Sequence, residues 1–430
     1  MPTSAELHAR RAAAVARGIG HVTAIYAKTA KNSEIWSEDG KRYIDFGAGI
    51  AVVNTGHQHP RIGEAVKKQL EDFSHVCFQV TPYENYISLA ERLNAIVPVP
   101  GPAKTMLVST GAEAVENAVK VARAFTGRPG IISFGGGFHG RTHMGMALTG
   151  KVVPYKKGFG PFPADIYNVD FPNTFHGGST EQSLKALKSL FKHSADPSSI
   201  AAIIIEPVQG EGGFNIAPFD FLKALRALCD EHGILLIGDE IQTGFARTGK
   251  MFALEHAGIK ADVVTLAKGL AGGYPLSAVV GRADVMDAAN PGGLGGTYAG
   301  SPVACAAAHA VLDIIKDEKL IERANAIGKI MMDRCRELQG RSNLNCIGDV
   351  RGLGAMCAVE LVKDKASGEP APQLTAELLK TALGNGLILL SCGTYGNVIR
   401  FLAPLTASDA IVREGMDIFE ASLSEAVSRA

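Results

Sequence analysis

Lys268 closes the apolar run Val263-Val264-Thr265-Leu266-Ala267 and is soon followed by Gly269, Gly272 and Gly273. A lysine held at the end of a buried strand is desolvated, which disfavours the ammonium and leaves a nucleophilic amine. Most lysines are solvated surface residues, and that plainer reading stands beside the chemical one. Asp239 and Glu240 come after a second apolar run, Ile234-Leu235-Leu236-Ile237-Gly238. Acids are seldom buried without a partner, so these two either sit in a solvated loop or one of them meets a cation at the strand end. Ser109-Thr110-Gly111-Ala112-Glu113 joins a strand pattern to a helical one, and Thr110 and Glu113 have the spacing of a capping box. The segment is simply a capped helix start, or it is a cradle whose backbone N–H groups take an anion that Gly111 lets approach.

Other residues add to the set. Phe138-His139-Gly140-Arg141 comes after Gly135-Gly136-Gly137. Phe138 could stack on a ring, and Arg141 could hold a carboxylate by two parallel hydrogen bonds. A glycine-rich loop with an exposed arginine is the alternative. Glu206 and Glu211 bracket Pro207-Val208-Gln209-Gly210 after another apolar run, and Arg400 interrupts the apolar stretch Val398–Leu402. A strand arginine of this kind points to solvent on the alternate face or reaches into a site. Taken together, a lysine and a carboxylate at adjacent strand ends beside a phosphate cradle form a pyridoxal-phosphate constellation. The lysine would make the Schiff base, the carboxylate would hold the ring nitrogen protonated, and the helix N-terminus would take the phosphate.

The elements that must position these residues are set by periodicity. Lys104–Val108, Ile131–Phe134, Ala202–Ile205, Ile234–Ile237, Val263–Ala267 and Ala278–Val280 are short apolar runs, expected as strands. Helical patterns lie between some of them, over Ala112–Phe125 and Phe219–Glu231. Continuous buried strands separated by helices predict an α/β fold with a mostly parallel sheet covered on both faces. Ligands on such sheets bind at the carboxyl ends of the strands, where the candidate residues fall. The later chain changes character: helices over Val303–Ile315 and Leu320–Leu338, strand-like pieces at Val350–Leu361, Leu387–Leu390 and Val398–Leu402, and a final helix from Ser408. Strand-like Ser33–Trp36 and Tyr43–Phe46 are expected to join them. The expected division is a large domain over 60–320 and a smaller, discontinuous α+β domain from 1–59 and 321–430.

With 430 residues, 46% hydrophobic and 20% charged, the chain can bury a sizeable core over two domains. Lysine plus arginine equals aspartate plus glutamate at 43 each, so no net field favours nucleic acid or anionic lipid. The seven cysteines are scattered without a CxxC pair, which argues against a disulfide framework or a metal site and suits a reducing cytoplasm. No run is long enough to span a bilayer, and the N-terminus lacks an apolar signal core.

Beyond these residues, the chain resembles the class III (ω-)aminotransferases of pyridoxal-phosphate fold type I, most of all their bacterial 4-aminobutyrate branch. The resemblance runs nearly end to end through DFGAGIAVVNTGHQHP, STGAEAVENAVKVAR, FHGRTHMGMALTGK, IIIEPVQGEGGF, ALCDEHGILLIGDEIQTGFARTGK, TLAKGLAGGYPLSAVVG, GGLGGTYAGSPVACAAA, GDVRGLGAM and GLILLSCGTYGNVIRFLAPL. It implies a seven-stranded, mostly parallel sheet in the large domain and pyridoxal 5'-phosphate as cofactor. It further implies transfer of an amino group from an ω-amino acid, 4-aminobutyrate first, to 2-oxoglutarate with ping-pong kinetics. By the same resemblance Lys268 is the Schiff-base lysine and general acid–base, and Asp239 the partner of the ring nitrogen. Gly111 and Ala112 form the phosphate loop, Phe138 stacks on the ring with His139 beside it, Ile241 packs on the other face, and Gln242 bonds the ring hydroxyl. Thr297 is a phosphate ligand given by a neighbouring subunit, so a homodimer is the minimum unit, with pairing into tetramers left open. Arg141 takes the carboxylate of 4-aminobutyrate, Glu211 and Arg400 form a switch pair, Ile50 narrows the pocket entrance, and Glu206 lies nearby. Two positions depart from near relatives: Ala112 stands where many have serine, and Phe138 where 4-aminobutyrate enzymes often have tyrosine. Transaminases of 5-aminovalerate or N-acetylornithine, an aminomutase on the same fold, and a catalytically silent protein remain as alternatives.

Overall fold

In the computed structural model, which describes residues 2–429, seven runs form one sheet. They are β1 (Ala103–Val108), β2 (Gly130–Phe134), β3 (Ile166–Val169), β4 (Ile200–Ile205), β5 (Leu235–Asp239), β6 (Val263–Leu266) and β7 (Ser277–Arg282). Their spatial order is β1-β7-β6-β5-β4-β2-β3. Only β7 runs antiparallel to its neighbours; the others are parallel, as the apolar runs predict. The edge strand β3 carries no long apolar run, and periodicity does not mark it.

Successive side chains on a strand point to opposite faces, and the core divides accordingly. Along β4, Ile203 and Ile205 join one cluster while Ala202 and Ile204 join another. The second cluster is covered by α1 (Gly111–Thr126) through Val115, Ala118, Val119 and Ala122, the stripe expected from helical spacing. The first is covered by Phe219–His232 and Pro302–Asp317, which contribute Phe221, Leu225, Ala308 and Val311. Each fully buried branched side chain contributes about 1.5–3 kcal/mol, so a sheet sealed on both faces can hold loops with polar groups at its end.

The remaining strands form smaller sheets. Glu34–Ser37 pairs with Arg42–Asp45, and Leu387–Ile388 adds to the latter in parallel, so the two ends of the chain share a sheet. The run expected as one piece over Val350–Leu361 is instead a hairpin of Ile347–Leu353 and Met356–Leu361. Gly354 makes its turn at φ +52, a left-handed conformation that costs glycine little, and apolar residues on both sides hide the break. Val398–Phe401 lies against Met356–Leu361 and brings Arg400 opposite Ala358. The stretch Leu387–Leu390 is likewise split, since Leu390–Cys392 pairs with Val398–Phe401 in this other sheet. Among the described residues no helix is long and apolar enough to cross a membrane.

Candidate active site

The carboxyl ends of β1, β2, β4, β5 and β6 open on one cavity of about 500 Å³. Asp239 is the last residue of β5, Lys268 lies two residues beyond β6, and Glu206 comes directly after β4. Gly111 and Ala112 begin α1, and Phe138, His139 and Arg141 sit on the loop after β2. All of these line the cavity with Glu211, Ile241 and Gln242. The capping box is real: Glu113 N donates to Thr110 Oγ1 at 3.2 Å, and the Glu113 carboxylate accepts from Thr110 N at 2.7 Å. The N–H groups of Gly111 and Ala112, the first two of the helix, have no intrahelical acceptor and remain for an anion. A Cβ at Gly111 would lie 3.0 Å from Ile241 Cδ1, so a side chain there would crowd the cavity wall.

Asp239 and Glu240 are both buried rather than solvated. Asp239 Oδ2 lies 2.7 Å from His139 Nδ1, and its Oδ1 accepts from Ile241 N at 3.1 Å. Burial pushes the His139 imidazole down, but the hydrogen bond and charge of Asp239 outweigh it and hold its pKa up. Glu240 is turned away from the cavity and accepts from Ala253 N at 2.9 Å and Leu254 N at 2.7 Å. It therefore fixes the far end of the loop that carries Ile241 and Gln242. Burial brings the Lys268 ammonium down to about 8, the direction expected for an amine at a buried strand end. Glu206 accepts from Phe138 N at 2.8 Å and Gly210 N at 2.9 Å, and burial raises its carboxyl to about 7.

Arg400 is 5% exposed and lies behind the cavity wall, joined to it through Glu211, whose Oε1 is 2.5 Å from Arg400 Nη1. Burial pushes the Glu211 carboxyl up, yet the Arg400 charge and hydrogen bond hold it below its usual range. Arg141 is exposed at the cavity edge, its guanidinium 5.4 Å from the Phe138 ring centroid and 5.3 Å from that of Tyr155. Tyr155 is a site residue that sequence reasoning missed; it packs on Phe138 at 4.8 Å and approaches Glu211 at 3.4 Å. Its segment, 152–159, has no period to betray a site residue. Two expected residues stand apart. Thr297 is on the exposed loop before Pro302, and Ile50, 41% exposed with φ +65, does not line the cavity, whereas Val52 does.

The model of the class III aminotransferases matches residues 14–423. This chain belongs to that family. Class III aminotransferases are pyridoxal-phosphate enzymes, and relatives cover the whole length. The chain is 53% identical to the 5-aminovalerate aminotransferase DavT of Pseudomonas putida over 98% of its own length and 99% of the relative's. It is 50% identical to the 4-aminobutyrate aminotransferase GabT of Escherichia coli, covering 99% and 100%. Among solved structures, a Bacillus anthracis aminotransferase superposes with a TM-score of 0.91 at 30% identity, covering 100% of both chains. An amine transaminase from an uncultivated Pseudomonas species, solved with pyridoxal phosphate bound, superposes at 0.87 with 30% identity and 96% and 98% coverage.

The residues of this class III aminotransferase fit the cofactor chemically. An anion-seeking helix start and a buried carboxylate line one cavity, suited to a phosphate and a ring N–H. Lining the same cavity, Gln242 has a buried Oε1 with no partner among the described residues, a polar atom that costs free energy until something bonds to it.

Proposed function

We propose that this aminotransferase moves the amino group of 4-aminobutyrate to 2-oxoglutarate, giving succinate semialdehyde and glutamate by ping-pong kinetics. The observation that carries the reading is the buried Glu211–Arg400 pair next to Arg141, which makes no ion pair of its own among the described residues. One pocket must accept one carboxylate in the first half-reaction and two in the second. Arg141 takes the carboxylate common to both. Arg400 stays neutralised by Glu211 while the monocarboxylate is bound, so no buried charge is left unpaired. When glutamate or 2-oxoglutarate enters, Glu211 swings aside and Arg400 takes the α-carboxylate.

Lys268 Nζ would take the proton from the amine-bearing carbon of the donor in the first half-reaction and deliver one to the carbonyl carbon of the acceptor as it becomes amine-bearing in the second, as a buried amine poised near neutral pH can. When bound, pyridoxal phosphate supplies an aldehyde for the amine and a ring that takes up the electron pair left on that carbon. Asp239 would keep a proton on the ring nitrogen, and His139 anchors Asp239. Gly111 and Ala112 N–H groups would hold the phosphate, Gln242 would bond the ring hydroxyl, and Phe138 and Ile241 would pack on the ring. Glu206 steadies the Phe138 and Gly210 backbones. Thr297, exposed, acts with a second copy of the chain, on whose phosphate it bears, and Ile50 narrows the pocket entrance. A homodimer is thus the working unit. We also assign 60–320 to a large domain and 1–59 with 321–430 to a small one, supported by the sheet that pairs Arg42–Asp45 with Leu387–Ile388. A reducing cytoplasm suits the seven free cysteines.

A second reading, 5-aminovalerate as the donor, is favoured by the 53% identity to DavT. One methylene changes discrimination by only about 1–3 kcal/mol, so residue identities do not separate the two. Single-turnover rates with 4-aminobutyrate, 5-aminovalerate and N-acetylornithine, together with glutamate release on adding 2-oxoglutarate, separate them. The first donor is expected to be fastest. Faster turnover of 5-aminovalerate installs the second reading, and an isomerised amine without glutamate points to a mutase.

A further inference from the structure

Arg247 is the largest side chain buried completely in the described structure, at 0% exposure, and no carboxylate among the described residues pairs with it. Its guanidinium donates only to neutral oxygens. Nη2 reaches Asn54 Oδ1 at 2.7 Å and Nη1 reaches Ala403 O at 2.8 Å, with longer bonds from Nε to Asn54 Oδ1 and from Nη1 to Ala355 O, both 3.3 Å. A buried cation without a counter-charge is a poor stabilising device, since desolvation costs several kcal/mol and an apolar side chain of similar size often serves stability better. Its partners suggest what it does instead. Ala403 lies three residues past Arg400 on the same chain exit. Asn54 Nδ2 donates to Phe245 O at 2.9 Å, and a Cβ built on Gly269, the residue after Lys268, would fall 2.5 Å from that same nitrogen. Asn54 also accepts from Leu405 N at 2.8 Å through its backbone carbonyl. From the loop that leaves Asp239, one guanidinium therefore bonds Asn54, the hairpin turn at Ala355 and the strand end that carries Arg400, while Asn54 packs closely on Gly269 beside Lys268.

We propose that Arg247 is a positioning residue that sets Arg400 at the distance from Lys268 needed to receive the α-carboxylate of glutamate or 2-oxoglutarate. The inference rests on the reading that Arg400 binds that carboxylate. Five N–H donors spread over a rigid plane fix three separate chain segments in set directions, whereas the three donors of a lysine radiate from one flexible point. The other arginine, Arg141, is outside this bracket, so the monocarboxylate half-reaction depends on it less.

The test uses full-length holoenzyme with Arg247→Met, Arg247→Lys and Arg400→Lys. Visible absorbance of bound cofactor and the thermal midpoint are recorded first, then saturation curves for each half-reaction. Arg247→Met is expected to keep the cofactor absorbance and to lose about tenfold in apparent affinity for 2-oxoglutarate, ~1.4 kcal/mol. Its affinity for 4-aminobutyrate is expected to change less than about twofold, and Arg247→Lys to fall between. Should Arg247→Met not fold, Arg247→Lys carries the same comparison. Equal losses for both substrates, or none for 2-oxoglutarate while Arg400→Lys weakens it, overturn the role of Arg247. If Arg400→Lys leaves 2-oxoglutarate binding unchanged, the carboxylate assignment itself is wrong and the inference goes with it.

Discussion

Glu211 and Arg400 are 189 residues apart in the chain, yet Glu211 Oε1 and Arg400 Nη1 meet at 2.5 Å in a setting where Arg400 is almost wholly buried. The contact exists because Glu211 lies on the turn between the short paired strands Val208–Gln209 and Asn215–Ile216, and Val208 and Phe214 pack with Ala358 and Val398 of the sheet that carries Arg400. Removing the acid leaves a buried guanidinium without a partner whenever the bound substrate has no second carboxylate. Glu211→Ala is expected to slow the 4-aminobutyrate half-reaction by at least ~10-fold, ~1.4 kcal/mol, while the glutamate half stays within about twofold. Stopped-flow traces of each half-reaction decide this; equal losses would remove the case for a switch.

Lys268 supplies a pH signature. Its ammonium titrates at about 8, chiefly because burial disfavours the charged form. Below that pH the amine is protonated and cannot attack an aldehyde; above it the free amine is available. The rate at which cofactor-free protein captures added pyridoxal phosphate is therefore expected to rise between roughly pH 7 and pH 9. The growth of visible absorbance measures it. Lys268→Ala should show no such band at any pH.

The His139–Asp239 pair couples stability to pH with a definite sign. The folded imidazole titrates above its ordinary value of 6.5. Its contribution is present in full below that unfolded value and is lost as pH rises through the folded one. The difference in thermal midpoint between cofactor-free wild type and His139→Gln should thus be largest near pH 6 and shrink on the alkaline side. A difference that grows with pH would contradict a protonated imidazole.

Ala112 offers a gain rather than a loss. A Cβ at Gly140 would lie 2.8 Å from Ala112 Cβ, so an added hydroxyl at 112 has to turn from that wall toward the cavity. A hydrogen bond to a charged group contributes about 1.5–3 kcal/mol. Ala112→Ser is expected to lower the dissociation constant for pyridoxal phosphate by ~10-fold or more, measured by equilibrium titration. An unchanged constant would mean that the phosphate is held out of reach of this position.

Much of this site is legible without any knowledge of the fold. Asp239 and Lys268 are marked by their places at the ends of apolar runs, because a parallel sheet buries whole strands and delivers the residues beyond them to one edge. Thr110 and Glu113 declare the helix start through their spacing. Tyr155 and Arg247 are not legible: one lies in an irregular segment with exposed Val152 and Phe159 close by, the other in a glycine-flanked turn where an arginine ordinarily faces water. Neither residue type nor period distinguishes such positions from surface loops. The hairpin of Ile347–Leu353 and Met356–Leu361 looks like a single strand for a related reason, since both arms are apolar and only the turn at Gly354 divides them.

The sequence by itself determined the central strands of the large sheet and the helices that cover them, and which reactive side chains stand at the strand ends. Those properties depend on neighbours a few residues away, through pleat, helical turn and cap. Only the tertiary structure decided that Glu211 would find Arg400, that Arg141 would stack on Tyr155, and that Arg247 would be sealed among carbonyls. These contacts depend on how separate sheets pack, and packing answers to shape and burial summed over the whole chain.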